Sequence, residues 1–155
     1  MLVFGDGTVA ASAAVKVEAL FESLAKAQNS AGITGHAWLT AAFIEASELA
    51  QGLLDAEFER AGCDDDTPLQ RSAMILLTAL GRMIAASWQS GFSPSLCGKD
   101  LVERARSEAA KLSTAETIAC RTAEGFALYA LYPECTIAAA ASLRPATRII
   151  GLRSI

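Results

Sequence analysis

The sequence predicts a mainly α-helical protein: a helical bundle of four to five helices, followed at the C-terminus by a short strand-helix-strand start of an α/β unit. Three observations predict it. The 52% hydrophobic content is rich in alanine while aromatic residues make up only 6%, which favours closely packed helices. Apolar residues recur at helical spacing through most of the chain. The last nine residues, by contrast, carry β-branched residues in an extended pattern.

The first helix is predicted over residues 9–28, with Thr8 as its N-cap and a C-terminal capping segment from Asn29 to Gly32. Its apolar stripe repeats at the helical period and comprises Val17, Leu20, Phe21 and Leu24. Before it, residues 1–4 form a short apolar run that suits a strand or a packed arm.

A second helix is predicted over residues 35–60, with Thr34 as its cap and Gly62 as its stop. Its buried stripe comprises Leu39, Phe43, Ala46, Ala50 and Leu53. A third helix begins at the clearest start signal in the chain, Thr67 followed by Pro68, and extends to residue 89. Because this third helix is apolar on nearly every side, it is expected to be the central one.

The pattern of residues changes in the C-terminal third of the chain. A fourth helix is predicted over residues 99–111, and an alternating β-branched stretch at 116–122 indicates a strand. A helix at 133–143 and a closing strand at 147–155 complete the order of a βαβ unit. We therefore expect a helical domain at 1–113 and an incomplete second domain at 114–155.

The closing strand needs a partner, because an unpaired strand exposes backbone donors and acceptors. We expect this partner to be a missing C-terminal α/β half, which would make the chain the front part of a longer protein. Pairing inside this chain and pairing with a second copy of the chain are the alternatives. A missing half would make the chain a fragment, and a second copy would make the protein an oligomer.

Charge and cysteine pattern exclude several classes. Thirteen Lys and Arg against 17 Asp and Glu give a net charge of -4, so no nucleic-acid partner is expected. No apolar stretch reaches the roughly 18 residues of a membrane span, and no signal peptide is evident, so we expect no membrane association and a cytoplasmic location. The four cysteines, which have no metal-site spacing, are expected to be separate reduced thiols; they are Cys63, Cys97, Cys120 and Cys135.

Few residues suggest chemistry. The lone His36 is expected to have a surface or capping role, since no second histidine could complete a metal or catalytic site. Five carboxylates could meet across the bundle, as an acid-base pair or as ligands of Mg²⁺, and they are Glu18, Glu22, Glu45, Glu48 and Asp55. No catalytic residue can be assigned. Four scattered aromatic residues, expected in the core more than in a pocket, are Trp88, Phe126, Tyr129 and Tyr132.

Three stretches resemble parts of a bacterial family of phosphoribosyltransferase-like proteins. They are EASELAQG at 45–52, EGFALYALYPE at 124–134 and IIGLRSI at 149–155. The resemblance implies that the chain is the N-terminal helical portion of such a protein and is inactive alone, because the phosphate-binding loop of the family is absent. By this resemblance the chain contributes at most the edge of a phosphate or nucleotide-sugar pocket. The resemblance implies four substrate-binding residues: Tyr132, Glu134, Arg153 and Ser154.

A second hypothesis needs no enzyme. A stand-alone helical module could work by association, using the exposed face of the second helix or the closing strand to join a partner or a second copy. Its biological process is open at this point.

Overall fold

A computed structural model describes residues 8–93, 98–123, 125 and 131–149. The elements in chain order are β1 (Thr8–Ser12), α1 (Ala13–Asn29), α2 (Gly32–Ala61), α3 (Pro68–Gln89), α4 (Lys99–Leu112), β2 (Thr117–Arg121) and α5 (Pro133–Ala141). The protein is mainly α-helical, as the sequence predicted, with one short strand at the start and another late in the chain.

Four helices form the body of the molecule. α1 packs on α2 and α4, and α3 packs on the same two helices, which places the four in a ring. Side-chain contacts show that α1 and α2 are antiparallel: Lys16 contacts Glu48, whereas Lys26 lies over the ring of Trp38 near the start of α2. The connection between α1 and α2 is short, as expected for antiparallel neighbours.

The core is built from leucine and alanine, and the predicted stripes lie in it. Leu20, Leu24, Leu49 and Leu76 are fully buried, and Phe21 and Phe43 pack against the core from its margin. Small residues let the helices approach closely, so few large side chains are needed to fill the interior.

The expectation that the third helix is central is wrong. α3 is one member of the ring, with Leu76 and Leu80 buried but Met74 and Trp88 about half exposed or more, at 59% and 49%. Because α2 and α4 cover only part of its circumference, the remaining apolar surface faces α5 or solvent.

β1 and β2 form a two-stranded antiparallel sheet, with a register that runs from Thr8 opposite Arg121 to Ser12 opposite Thr117. The predicted helix start at residue 9, with Thr8 as its cap, is therefore wrong. α1 starts at Ala13, and backbone carbonyls just before β2 satisfy its first amides: Ala13 N donates to Glu116 O, and Ala14 N to Thr114 O.

The sheet lies directly on α2. Gly52 of α2 approaches the backbone of β2, and Ile118 and Cys120 of β2 are buried in the core. Side chains of α2 also bind the backbone at the end of β2, since Gln51 Oε1 accepts from Arg121 N and Glu48 Oε1 from Ala123 N. The boundary predicted at residue 113 therefore falls between two elements that pack on one core.

Helix starts differ in how well local signals predict them. Thr67 caps α3 as predicted, with its Oγ1 accepting from Gln70 N at 3.1 Å. The cap predicted at Thr34 is wrong, because α2 already begins at Gly32. The chain turns from α1 into α2 within two residues, and Gly35 sits so close to the turn that a Cβ there would lie 2.8 Å from Ser30 O.

The C-terminal elements match the prediction in part. β2 and α5 lie within the predicted strand and helix, but none of the α5 residues is buried. Residues 147–149 form no strand. The rest of the predicted closing strand, the segment 1–4 and most of the aromatic segment 124–132 lie outside the described residues. In the part of the chain that the structure describes, no helix has the length and apolar character needed to cross a membrane.

Candidate functional site

His36 is the centre of a hydrogen-bonded network that joins three helices. It lies in the second turn of α2 and is 7% exposed. Its Nε2 lies 2.6 Å from Oε1 of Glu134 in α5, and its Nδ1 lies 3.0 Å from Oγ of Ser87 near the end of α3. Thr40, one turn further along α2, donates a longer bond of 3.4 Å to the same Glu134 oxygen. We call these four residues the His36 network.

The expected surface or capping role of His36 is therefore wrong. Toward an ionised Glu134, which can only accept hydrogen bonds, the Nε2 of His36 is the donor. Nδ1 is then left to pair with the hydroxyl of Ser87. Both ring nitrogens have partners, as a buried imidazole requires.

Two aromatic rings pack on the imidazole. Phe92 lies edge-on to His36 with ring centroids 4.9 Å apart, and Trp88 lies 6.0 Å from His36 and 5.7 Å from Phe92. Phe92 adopts a positive φ of 68°, which is rare for a bulky residue. Its amide donates to Ser87 O at 2.8 Å, which holds this conformation at the end of α3. Strained residues of this kind concentrate at functional sites.

A cavity of about 680 Å³ opens beside the network, between α2, the end of α3 and α5. Its walls are mostly apolar, with a few polar groups on the α2 and α5 sides. The lining residues are Ile33, His36, Ala37, Thr40, Ala41, Ile44, Glu45, Trp88, Phe92, Tyr132, Glu134, Cys135 and Ala138. This size and this mixture are typical of small-molecule sites.

Glu45 of α2 lines the cavity and also contacts α1. Its Oε1 accepts from Ser23 Oγ at 3.2 Å, whereas its Oε2 is buried and has no hydrogen-bond partner. Burial raises the pKa of this carboxyl above its usual range. The Ser23 hydrogen bond and the charge of Lys16 oppose that rise in pKa, and the nearby carboxylates of Glu48 and Glu22 add to it.

Three of the other four candidate carboxylates have structural partners, and the fourth, Glu18, is exposed. Glu48 binds Lys16 at 3.0 Å, Glu22 binds Lys26 at 2.6 Å, and Asp55 accepts from Gln51. Within the described ranges, no three His, Cys, Asp or Glu residues come together as a possible metal site. The arrangement needed for the Mg²⁺ hypothesis is therefore not found there.

The four implied substrate-binding residues divide into two groups. Tyr132 and Glu134 both line the cavity, while Arg153 and Ser154 lie outside the described residues. The sequence reasoning missed Ser87, Phe92 and the role of His36. A buried histidine requires partners, but the sequence gives no sign of which residues supply them, since Ser87 and Glu134 are 51 and 98 residues away.

The thiols differ in exposure. Cys120 is buried, which raises its thiol pKa, whereas Cys63 and Cys135 are exposed and unpaired. Cys97 lies outside the described residues. Cys135 borders the cavity beside Glu134.

Comparison with known proteins adds no relative: no family model, curated protein or solved structure matches this chain.

Proposed function

We propose that this chain binds a small, largely apolar molecule in the cavity between α2, α3 and α5, with the His36 network as its polar anchor. The observation that carries the proposal is the cavity itself, about 680 Å³ with mostly apolar walls and a few polar groups on its α2 and α5 sides. Apolar walls supply affinity by removing ligand surface from water. The His36 network orients the ligand through its hydrogen-bonding groups.

Fluorescence of Trp88 provides the test, because Trp88 lines the cavity whereas Trp38, the other tryptophan of the chain, packs near Lys26. In a Trp38→Phe background, titration with a neutral apolar dye is expected to change Trp88 emission in a saturable way.

Two variants on the same helix make the test specific. Ala138 lines the cavity and Ala139 does not, although both are exposed alanines of α5. Ala138→Phe is expected to weaken dye binding about tenfold or more, which is about 1.4 kcal/mol, while Ala139→Phe leaves it unchanged. Equal binding by both variants, or no binding by the parent protein, would contradict the proposal.

A phosphate or nucleotide-sugar ligand is a second candidate, because Tyr132 and Glu134, which the family resemblance implies at a pocket edge, both line this cavity. In that role the chain would be the N-terminal helical portion of a phosphoribosyltransferase-like protein and not catalytic alone. Inorganic phosphate and phosphoribosyl diphosphate in the same titration test it. Binding of either, lost in Ala138→Phe, would support this candidate, and the absence of any response would count against it.

A role as a helical interaction or oligomerisation module has its own supporting observation. α5 buries none of its residues, and the segments around it expose Leu131, Leu143 and Ile149. We place either role in the cytoplasm, since the described cysteines are free thiols. Sedimentation over a range of protein concentrations tests association: a mass that stays monomeric throughout argues against self-assembly.

A further inference from the structure

Apart from the imidazole of His36, which pairs with Glu134 at 2.6 Å and is neutral unless protonated, the charged groups that border the cavity are of one sign. Glu45 and Glu134 are its acidic lining residues, and no Lys or Arg is among the described residues of the wall. Lys16 of α1, whose charge acts on Glu45, is engaged with Glu48 at 3.0 Å. A ligand that enters therefore meets carboxylates without a neighbouring cation in the wall.

Both carboxylates have hydrogen-bonding capacity left over. The bonds that Glu134 accepts from His36 and Thr40 end on the same atom, Oε1, which leaves its Oε2 as an acceptor. The Oε2 of Glu45 has no partner either, but it is covered from water, so Glu45 acts on a ligand in the cavity through its charge.

The rest of the wall suits the apolar body of a cation. Trp88, Phe92 and Tyr132 contribute three aromatic rings, and the face of an aromatic ring attracts a positive charge. Aromatic rings combined with a carboxylate are a recurrent way of recognising an ammonium group. An anion gains nothing from these rings and is repelled by the carboxylates.

We propose that the ligand of this cavity is an organic amine: an apolar body in the cavity, with an ammonium group that donates to Glu134 and is attracted by the charge of Glu45. This inference rests on the proposed function and narrows it to one ligand class.

The test compares three probes of one shape that differ in charge: phenylbutylamine, phenylbutanol and phenylbutyrate, titrated by calorimetry. The amine is expected to bind about tenfold tighter than the alcohol, and the butyrate to bind weakest. In Glu45→Gln the preference for the amine over the alcohol should fall to about threefold or less. Glu18→Gln is the control, because it removes one negative charge from the exposed face of α1, outside the cavity.

The outcomes separate the two proposals. If the neutral dye binds but the alcohol or the butyrate binds as tightly as the amine, the inference about charge is wrong and the apolar site stands. If Glu18→Gln lowers the amine preference as much as Glu45→Gln, the effect is one of net charge and the inference is also wrong. If neither the dye nor any of the three probes binds, both the inference about the amine and the proposed function are wrong.

Discussion

The contact between α2 and the sheet makes Gly52 the most informative position for a stability test. A Cβ at Gly52 would lie 3.1 Å from the carbonyl oxygen of Ala119. It would also lie 3.1 Å from Ile118 Cδ1 and 3.2 Å from Cys120 Sγ. Each distance is shorter than an ordinary van der Waals contact, so Gly52→Ala requires β2 to move away from the helix.

Two opposing effects set the magnitude. Alanine is favoured over glycine inside a helix by about 1 kcal/mol, while overpacking a core costs about 1–3 kcal/mol. The cost should lie in the upper part of its range, since Gln51 and Glu48 hold the backbone of β2 by hydrogen bonds and Ile118 is buried. We therefore expect Gly52→Ala to lose about 1–2 kcal/mol of unfolding free energy.

Gly81 of α3 is the matched control, because nothing lies within 4 Å of a Cβ built there. Gly81→Ala should gain about 0.5–1 kcal/mol from helix propensity alone. Urea unfolding followed by circular dichroism measures both. If Gly52→Ala is as stable as Gly81→Ala, the close packing of the sheet on α2 is refuted.

Three further predictions concern the core and the site. Glu45→Gln should stabilise the protein modestly at neutral pH, because burial of the charged carboxylate raises the Glu45 pKa and the amide carries no charge. That advantage should shrink as pH falls through the raised pKa and vanish below the ordinary carboxyl range, which paired urea titrations across this interval check. Leu80→Ala should cost about 2–5 kcal/mol through the cavity it leaves, and a loss under about 1 kcal/mol would contradict its complete burial. His36→Ala should lower the unfolding free energy by about 2 kcal/mol, because Glu134 loses its 2.6 Å donor. The substitution should increase amide hydrogen exchange more in α5 than in α2, and unchanged exchange in α5 would contradict this role.

The sequence predicts well those elements whose signals are local. α3 begins at Pro68 and ends at Gln89 as predicted, because the Thr67 hydroxyl and the ring of Pro68 act within one turn. α4 begins at Lys99 as predicted, because a continuous apolar stripe marks it. β2 lies within the predicted strand, because apolar and polar residues alternate there.

The N-terminal strand could not be predicted in this way. Residues 8–12 contain two alanines, which favour helix, and the predicted cap at Thr8 was a reasonable extension of α1. What overrides propensity is a segment far along the chain: β2 supplies the strand partner, and residues just before β2 supply the carbonyls that receive the first amides of α1. Strand pairing of this range leaves no trace in local periodicity.

The candidate site depends on the position of α5, and helical periodicity does not determine that position. Its residues from Pro133 to Ala141 are mostly small and apolar on every side, so no stripe selects the face that docks. The 2.6 Å contact between Glu134 and the buried His36 is the polar contact that orients it, and Ile137 adds a partly buried apolar one. The cavity exists because a helix without a strong apolar stripe is held at a few points and not along its length. A ligand that fills the cavity would therefore add contacts along α5 and should stabilise this helix more than the bundle beneath it.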